Sequence, residues 1–223
     1  MKIKIIGLLI CLAFNATVVN GQTLRNDVDS LSYALGVLFG INIQDGGFQT
    51  INAEIFGQAA RKVLHNEALV MTPDQASAFV NAQYQKTQQI RFENNLTAGR
   101  EFLNSNSNAP GVVTLPSGLQ YRIITNGTGA RPSATDRVTV HYHGMLIDGT
   151  VFESTVQRGQ PIELSVNNVI QGWIEALQLM PVGSKWVLYI PSELAYGNSQ
   201  RPGSIIEPYS TLIFEVELIS INN

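Results

Sequence analysis

Midway along the chain the hydrophobic period changes, and this change decides what the chain can fold into. From Asp29 to about Asn108 apolar residues recur at helical spacing, with a single proline, Pro73, placed where a helix would start. From Leu119 onward the period is two. Leu119, Tyr121 and Ile123 alternate with Gln120, Arg122 and Ile124, and Val138, Val140 and Tyr142 alternate with Thr139, His141 and His143. Between the two regions lies Asn104-Ser-Asn-Ser-Asn-Ala-Pro-Gly111, a linker by composition, then Leu115-Pro-Ser-Gly118, which reads as a turn. A helical region is therefore joined to a sheet domain.

Three helices fit the first region. One, around Ser30 to Ile41, places Leu31, Ala34, Leu35, Leu38 and Phe39 at helical spacing, with Ser32, Gly36 and Gly40 small enough to admit another helix closely. Asp27 and Asp29 at its start favour the positive end of the helix dipole. A second, about Asn52 to Leu64, carries Ile55, Phe56, Ala59 and Val63 on one face. Thr72-Pro73-Asp74-Gln75 opens the third with a threonine cap, proline in the first turn and Gln75 three residues after the cap. If that helix runs from Pro73 to Asn104 it is ~48 Å long at ~1.5 Å per residue. Phe79, Ala82, Ile90, Leu96 and Leu103 are sparse among glutamines and asparagines, so much of its surface must be wet. A stalk is the expectation; a helix packed on its own domain is the alternative.

In the second region Asp148-Gly149 is a hairpin turn signal between Met145-Leu146-Ile147 and Thr150-Val151-Phe152, and Leu212, Phe214, Val216 and Leu218 alternate near the end. Asn168 to Met180 presents Ile170, Trp173, Ile174 and Leu177 and stops at Pro181, which reads as one short amphipathic helix lying across the sheet. The fold class expected is α+β, a twisted antiparallel sheet wrapped on one helix. None of the 19 glycines sits in a phosphate-loop context, so a nucleotide fold is excluded.

The extreme N-terminus reads as an address. A basic start, Met1 to Lys4, precedes an apolar run from Ile5 to Ala13, too short to cross ~30 Å of hydrocarbon but right for a signal-peptide core. Val19 and Gly21 suit a signal peptidase, leaving Gln22 as the mature end. Cys11 lies inside the apolar run behind Ile10, which argues against a lipoprotein. Loss of Lys2 and Lys4 reduces 14 basic residues to 12 against 17 acidic ones, a formal charge of -5. That charge argues against nucleic acid, and a chain left without cysteine suits an oxidising compartment such as a periplasm. No later apolar run is long enough to span a membrane. The domains expected are a signal peptide over 1–21, a helical region over 22–109 and the sheet domain over 110–223.

Six motifs occur in order in the sheet domain: Val140-His-Tyr-His-Gly-Met-Leu146, Asp148-Gly-Thr-Val-Phe-Glu-Ser154, Val169-Ile-Gln-Gly-Trp173, Met180-Pro-Val-Gly183, Ile190-Pro-Ser-Glu-Leu-Ala-Tyr-Gly197 and Thr211-Leu-Ile-Phe-Glu-Val-Glu-Leu218. Together they resemble the FKBP family of peptidyl-prolyl cis/trans isomerases. Asp29-Ser-Leu-Ser-Tyr-Ala-Leu-Gly36 and the long helix also resemble the N-terminal dimerisation domain of exported bacterial members, the macrophage infectivity potentiator-like group. The resemblance implies an aromatic pocket from Tyr142, Phe152, Trp173, Tyr196 and Phe214, with Trp173 as its floor and Val169, Ile170 and Ile206 completing the apolar wall. Arg158 matches the family's arginine, and Ile162 stands where many members have phenylalanine. Glu153 departs from the family's usual aspartate, which faces substrate and helps orient Tyr142 and Arg158. One extra methylene keeps the charge but shifts it by ~1.5 Å, which could reduce activity.

The chemistry implied needs no cofactor, metal or nucleophile. Rotation about an Xaa-Pro bond passes a barrier of ~20 kcal/mol and takes tens of seconds in water. The twisted transition state has lost amide resonance and its charge separation, so an apolar cavity disfavours the planar ground state more. By resemblance the Tyr196 hydroxyl and the backbone N–H of Ile170 hold the peptide on either side of the rotating bond. The partners expected are proline-containing unfolded or partly folded polypeptides and a second copy bound through the N-terminal helices, so that one client meets two sites. A holdase chaperone that has lost most catalysis is the alternative. His141 and His143 share a strand face and could hold a metal, but a third ligand at readable spacing is missing and a plain strand surface is preferred. Glu215 and Glu217 read as a solvated face, and the aromatics, without the motif order, as plain core.

Overall fold

The computed structural model describes residues 24–199 and 203–222. The leader expected over 1–21, Cys11 with it, lies outside the described residues. The described chain divides into two compact units, one ending at Ala68 and the other running from Leu69 to the C-terminus.

The first unit holds α1 (Asp27–Asp45) and α2 (Ala53–Leu64). Each starts on an asparagine cap: Asn26 Oδ1 accepts from the Asp29 N–H, and Asn52 Oδ1 accepts from the N–H groups of Glu54 and Ile55. The α1 helix is longer than expected, because Asn26 supplies the cap ahead of Ser30 and nothing stops the helix before Gly46. The rings of Phe39 and Phe56 meet edge to face at 5.8 Å, yet no residue between 24 and 68 is buried.

In the second unit α3 (Pro73–Asn106) starts on a complete capping box. Thr72 Oγ1 accepts from the Gln75 N–H, and the Gln75 side chain accepts from the Thr72 N–H. Seven strands follow: β1 (Val112–Thr114), β2 (Gln120–Thr125), β3 (Arg137–Leu146), β4 (Val151–Ser154), β5 (Ile162–Ser165), β6 (Lys185–Ile190) and β7 (Leu212–Asn222). Two α-helices interrupt them, the single turn α4 (Thr155–Arg158) and α5 (Gln171–Leu179). The sheet order is β1-β2-β6-β7-β3-β4, with β5 also on β3, and every pairing is antiparallel. The long β3 serves two partners on one edge, β5 along Arg137–Val140 and β4 along His143–Met145. The Asp148-Gly149 turn closes β3 onto β4, with Gly149 at φ +86° and its N–H on Leu146 O at 3.0 Å.

The core lies between the sheet and α5, built from Leu119, Val138, Val140, Leu188, Val216 and Leu218 against Ala176 and Leu177, all fully buried. Gly172 lets α5 lie close, since a Cβ there would stand 2.6 Å from Ile190 Cγ2. This is the α+β arrangement the periodicity implies, with one difference. A second helix, α3, covers part of the other face.

Its last turns pack on the sheet: Phe102 meets Tyr189 at 6.0 Å between ring centroids, and a Cβ on Gly99 would stand 2.3 Å from Thr211 Oγ1. Asn106 Nδ2 donates to Gln120 Oε1 at 2.8 Å, and Gln120 Nε2 donates to Leu103 O at 2.9 Å. Gln120, expected on the wet side of β2, is 4% exposed for this reason. The compact unit therefore takes in α3 with the sheet, whereas sequence composition sets the division at 109/110. The first turns of α3 are mostly exposed, as in a stalk, while one side of its second half packs on the sheet, as in the alternative.

Candidate active site

A cavity of about 730 Å³ opens where β3, β4, β5 and β7 meet α5. Ten of the eleven residues singled out from sequence line it: Tyr142 from β3, Phe152 and Glu153 from β4, Ile162 from β5, Val169, Ile170 and Trp173 around the start of α5, Phe214 from β7, and Tyr196 and Ile206 from loops. Arg158, at the end of α4, does not line it but lies beside it, its Nη1 donating to Glu153 Oε1 at 3.0 Å. Arg201 lies outside the described residues.

The rings of Tyr142, Phe152, Trp173 and Phe214 form one set in which most contacts are edge to face. Trp173 stands 5.4 Å from Tyr142 and 5.3 Å from Phe214, and Phe152 stands 5.4 Å from Phe214, with interplanar angles of 80–89°. Such pairs set one another's orientation as well as burying area. Trp173, Phe214, Tyr142 and Ile206 are each at most 7% exposed. The indole nitrogen of Trp173 is buried and finds no hydrogen-bond partner among the described residues.

Local chain chemistry aims these groups. On β3 alternation sends Val138, Val140 and Tyr142 inward. The buried Thr155 fixes Tyr142 further: its Oγ1 accepts from the Tyr142 N–H at 2.7 Å and donates to Tyr142 O at 3.1 Å. Trp173 is in the first turn of α5, its N–H on Ile170 O at 2.9 Å. Burial, then the neighbouring Glu153 carboxylate, pushes the Tyr142 hydroxyl up to about 12 from its ordinary 10, with Arg158 opposing. Tyr142, Glu153 and Arg158 thus act on one another electrostatically, although Glu153 replaces the shorter aspartate.

Of the other lining residues, Leu164, Asn168 and the segment from Gly203 to Ile205 lie outside the motifs, and Val151 lies within the second motif without a pocket role assigned to it. Leu164 was reachable in principle, since it shares a strand face with Ile162. The Gly203–Ile205 segment has no periodicity to read. His141 and His143 turn to hydroxyls, with Nδ1 of each 3.0 Å from Thr155 Oγ1 and 2.9 Å from Ser154 Oγ respectively. Among the described residues no group of three or more histidine, cysteine or acidic side chains could hold a metal ion.

Comparison with known proteins agrees with the geometry. Residues 129–219 match the family described as FKBP-type peptidyl-prolyl cis-trans isomerase, and residues 28–123 match the domain amino terminal to it. The chain is 41% identical to an outer membrane protein MIP of Legionella longbeachae, covering 99% of this chain and 98% of that protein. It is 44% identical to an FKBP-type 22 kDa peptidyl-prolyl cis-trans isomerase of Escherichia coli K12, covering 85% and 93%. The crystal structure of FkpA from Escherichia coli superposes with a TM-score of 0.74 at 30% identity, over 90% of this chain and 99% of that one. With an aromatic hollow at the crossing of sheet and helix, and a helical region ahead of it, the chain belongs to the FKBP-type peptidyl-prolyl cis-trans isomerases, in their two-domain Mip- and FkpA-like group.

Proposed function

We propose that this isomerase is exported to the periplasm, cleaved after Gly21, and acts on Xaa-Pro bonds of unfolded or partly folded polypeptides. The observation that carries the reading is the convergence on one cavity of ten residues singled out from sequence, eight of them from the motifs, around rings that meet mostly edge to face. In that hollow the prolyl ring displaces water, and the amide exchanges hydration for aromatic walls. The planar amide, with its charge separation, loses more by that exchange than the twisted one, so the barrier falls. Trp173 supports the proline, Phe152, Phe214 and Ile162 wall the rotating bond, and Val169 and Ile206 complete the enclosure. The Tyr196 hydroxyl and the Ile170 N–H hold carbonyls of the peptide, whose burial without a partner would cost ~1–3 kcal/mol. Glu153 and Arg158 fix the hydroxyl of Tyr142 at the rim.

A protease-coupled assay on a proline-containing peptide tests this. Phe152→Ala should lower turnover by about tenfold or more, and Tyr196→Phe should raise KM about fivefold, the cost of one lost hydrogen bond. Unchanged turnover in Phe152→Ala removes the pocket assignment.

A catalytically weak holdase is the second reading, and Glu153 is the residue that favours it. That reading requires suppression of aggregation without acceleration of isomerisation, and a large gain in turnover on Glu153→Asp. The ion pair between Glu153 and Arg158 supports the enzyme reading instead, because the longer acid still meets its arginine. We also infer that the exported chain is a homodimer through α1 and α2, since these helices bury nothing in the single chain. No described helix is long and apolar enough to cross a membrane.

A further inference from the structure

One wall of the cavity is the loop from Gly203 to Ile206, and the three residues after it are gripped by α3. Arg91 pairs with Oε1 of Glu207. Asn95 Nδ2 donates to Glu207 Oε2 and to Pro208 O, both at 3.1 Å. The Phe92 ring lies 6.2 Å from that of Tyr209. Arg91, Phe92 and Asn95 occupy neighbouring positions on one side of the helix. The two oxygens of one carboxylate are divided between two α3 side chains, which opposes rotation of the Glu207 side chain.

The gripped segment also reaches the loop that carries Tyr196. Tyr209 is held at φ +62°, a conformation that side-chain-bearing residues seldom adopt and keep only where their surroundings impose it. Its N–H donates at 2.7 Å to the carbonyl of Gly197, the residue after Tyr196. The loops 196–197 and 203–206, which bring Tyr196 and Gly203–Ile206 to the cavity, are thus tied to the stretch 207–209 that α3 holds. A half-exposed ion pair such as Arg91–Glu207 adds little to global stability by itself. Its effect here is local, on a loop whose own backbone provides few constraints.

We propose that Arg91 and Asn95 are positioning residues for the prolyl pocket, with α3 holding segment 203–209 so that Ile205 and Ile206 stay closed on the bound proline. This rests on the isomerase reading of the cavity. Among the described residues no hydrogen bond or ring contact joins Tyr142, Phe152, Trp173 or Phe214 to the grip, so loosening it weakens substrate binding and spares the chemical step.

The test uses the full chain with Arg91→Gln, Asn95→Ala and the two combined, with Arg91→Lys as the conservative control. Peptide KM and kcat, amide hydrogen exchange at Tyr209 and the melting temperature are measured for each. In the double variant KM should rise about three- to tenfold with kcat held within about twofold, and Tyr209 exchange should accelerate while the melting transition stays in place. Arg91→Lys should fall near the wild type. An unchanged KM in the double variant overturns the proposal, as does a parallel fall of kcat and melting temperature, which makes the grip a structural contact only. A wild type that does not turn the peptide over fails the isomerase reading instead. Exchange at Tyr209 still decides the grip in that case, and an unaltered rate ends it.

Discussion

Gly144 sits between two of the pocket rings: a Cβ there would stand 2.6 Å from Phe152 Cε2 and 2.9 Å from Phe214 Cε1. It pairs with Phe214 across β3 and β7 and with Glu153 across β3 and β4, so neither neighbouring strand can yield independently. Gly144→Ala should therefore splay the Phe152 and Phe214 rings. Overpacking of this kind costs roughly 1–3 kcal/mol, to be read by urea unfolding, and turnover should fall with it. Tyr142 supplies a second test at this scale. Its ionisation is raised to about 12 in the folded chain, so the folded state holds that proton where the unfolded chain has released it. The resulting stability is complete below the unfolded value of about 10 and is lost as pH rises from there to about 12. Tyr142→Phe should flatten the wild type's loss of stability across that window, measured by unfolding at stepped pH. A variant that falls as steeply as the wild type would show that Tyr142 is not the group responsible. Single residues differ in how legible they are. The aromatic positions announce themselves by size and order along the chain. Gly144 and Thr155 act across strands, and no spacing in a linear sequence states which ring or backbone they will meet.

The α3 helix shows the same division one level up. Its beginning is written locally, in the cap, the proline and the glutamine that fold back on one another, and the sequence reading places it to the residue. Its seating is not, because the residues that dock it are polar. Asn95, Asn106 and Gln120 look wet by composition and become buried or half-buried only by bonding to one another or to the sheet domain. The alternation that marks a strand is blind to a helix arriving on its outer face. Gly99 is the residue that allows that arrival. Gly99→Val should force α3 away from Thr211 and strip the cover from Gln120 and Tyr189, with a loss of about 2–3 kcal/mol. The melting temperature should fall, and limited proteolysis should open cuts near the end of α3 while the sheet stays intact. A melting temperature equal to the wild type's would mean that the helix seats loosely there.

At the scale of the molecule the first unit lacks what a folded unit needs. Between 24 and 68 nothing is buried, and Leu31 and Leu38 on α1 are 61% and 58% exposed. Helices of this length are marginal in water without a packed face, and a unit below about 40–60 residues seldom supplies one alone. A second copy of the same helices provides the missing partner by symmetry, with each chain covering the other's apolar residues. Gly36 and Gly40 make the idea specific. In the single chain a Cβ on either would meet nothing within 4 Å, so larger side chains there disturb no contact within one copy. Leucine is also the better helix former by roughly 0.5–0.8 kcal/mol per site, so Gly36→Leu with Gly40→Leu should strengthen α1 as a helix. If a second chain closes on that small-residue stripe, the same pair of changes blocks it. The wild type should scatter light as two chains and the double variant as one, with turnover of a short proline peptide unaltered because the cavity lies wholly in the second unit. A wild type that scatters as one chain at micromolar concentration ends the dimer inference. A double variant that stays at two chains moves the contact off that stripe.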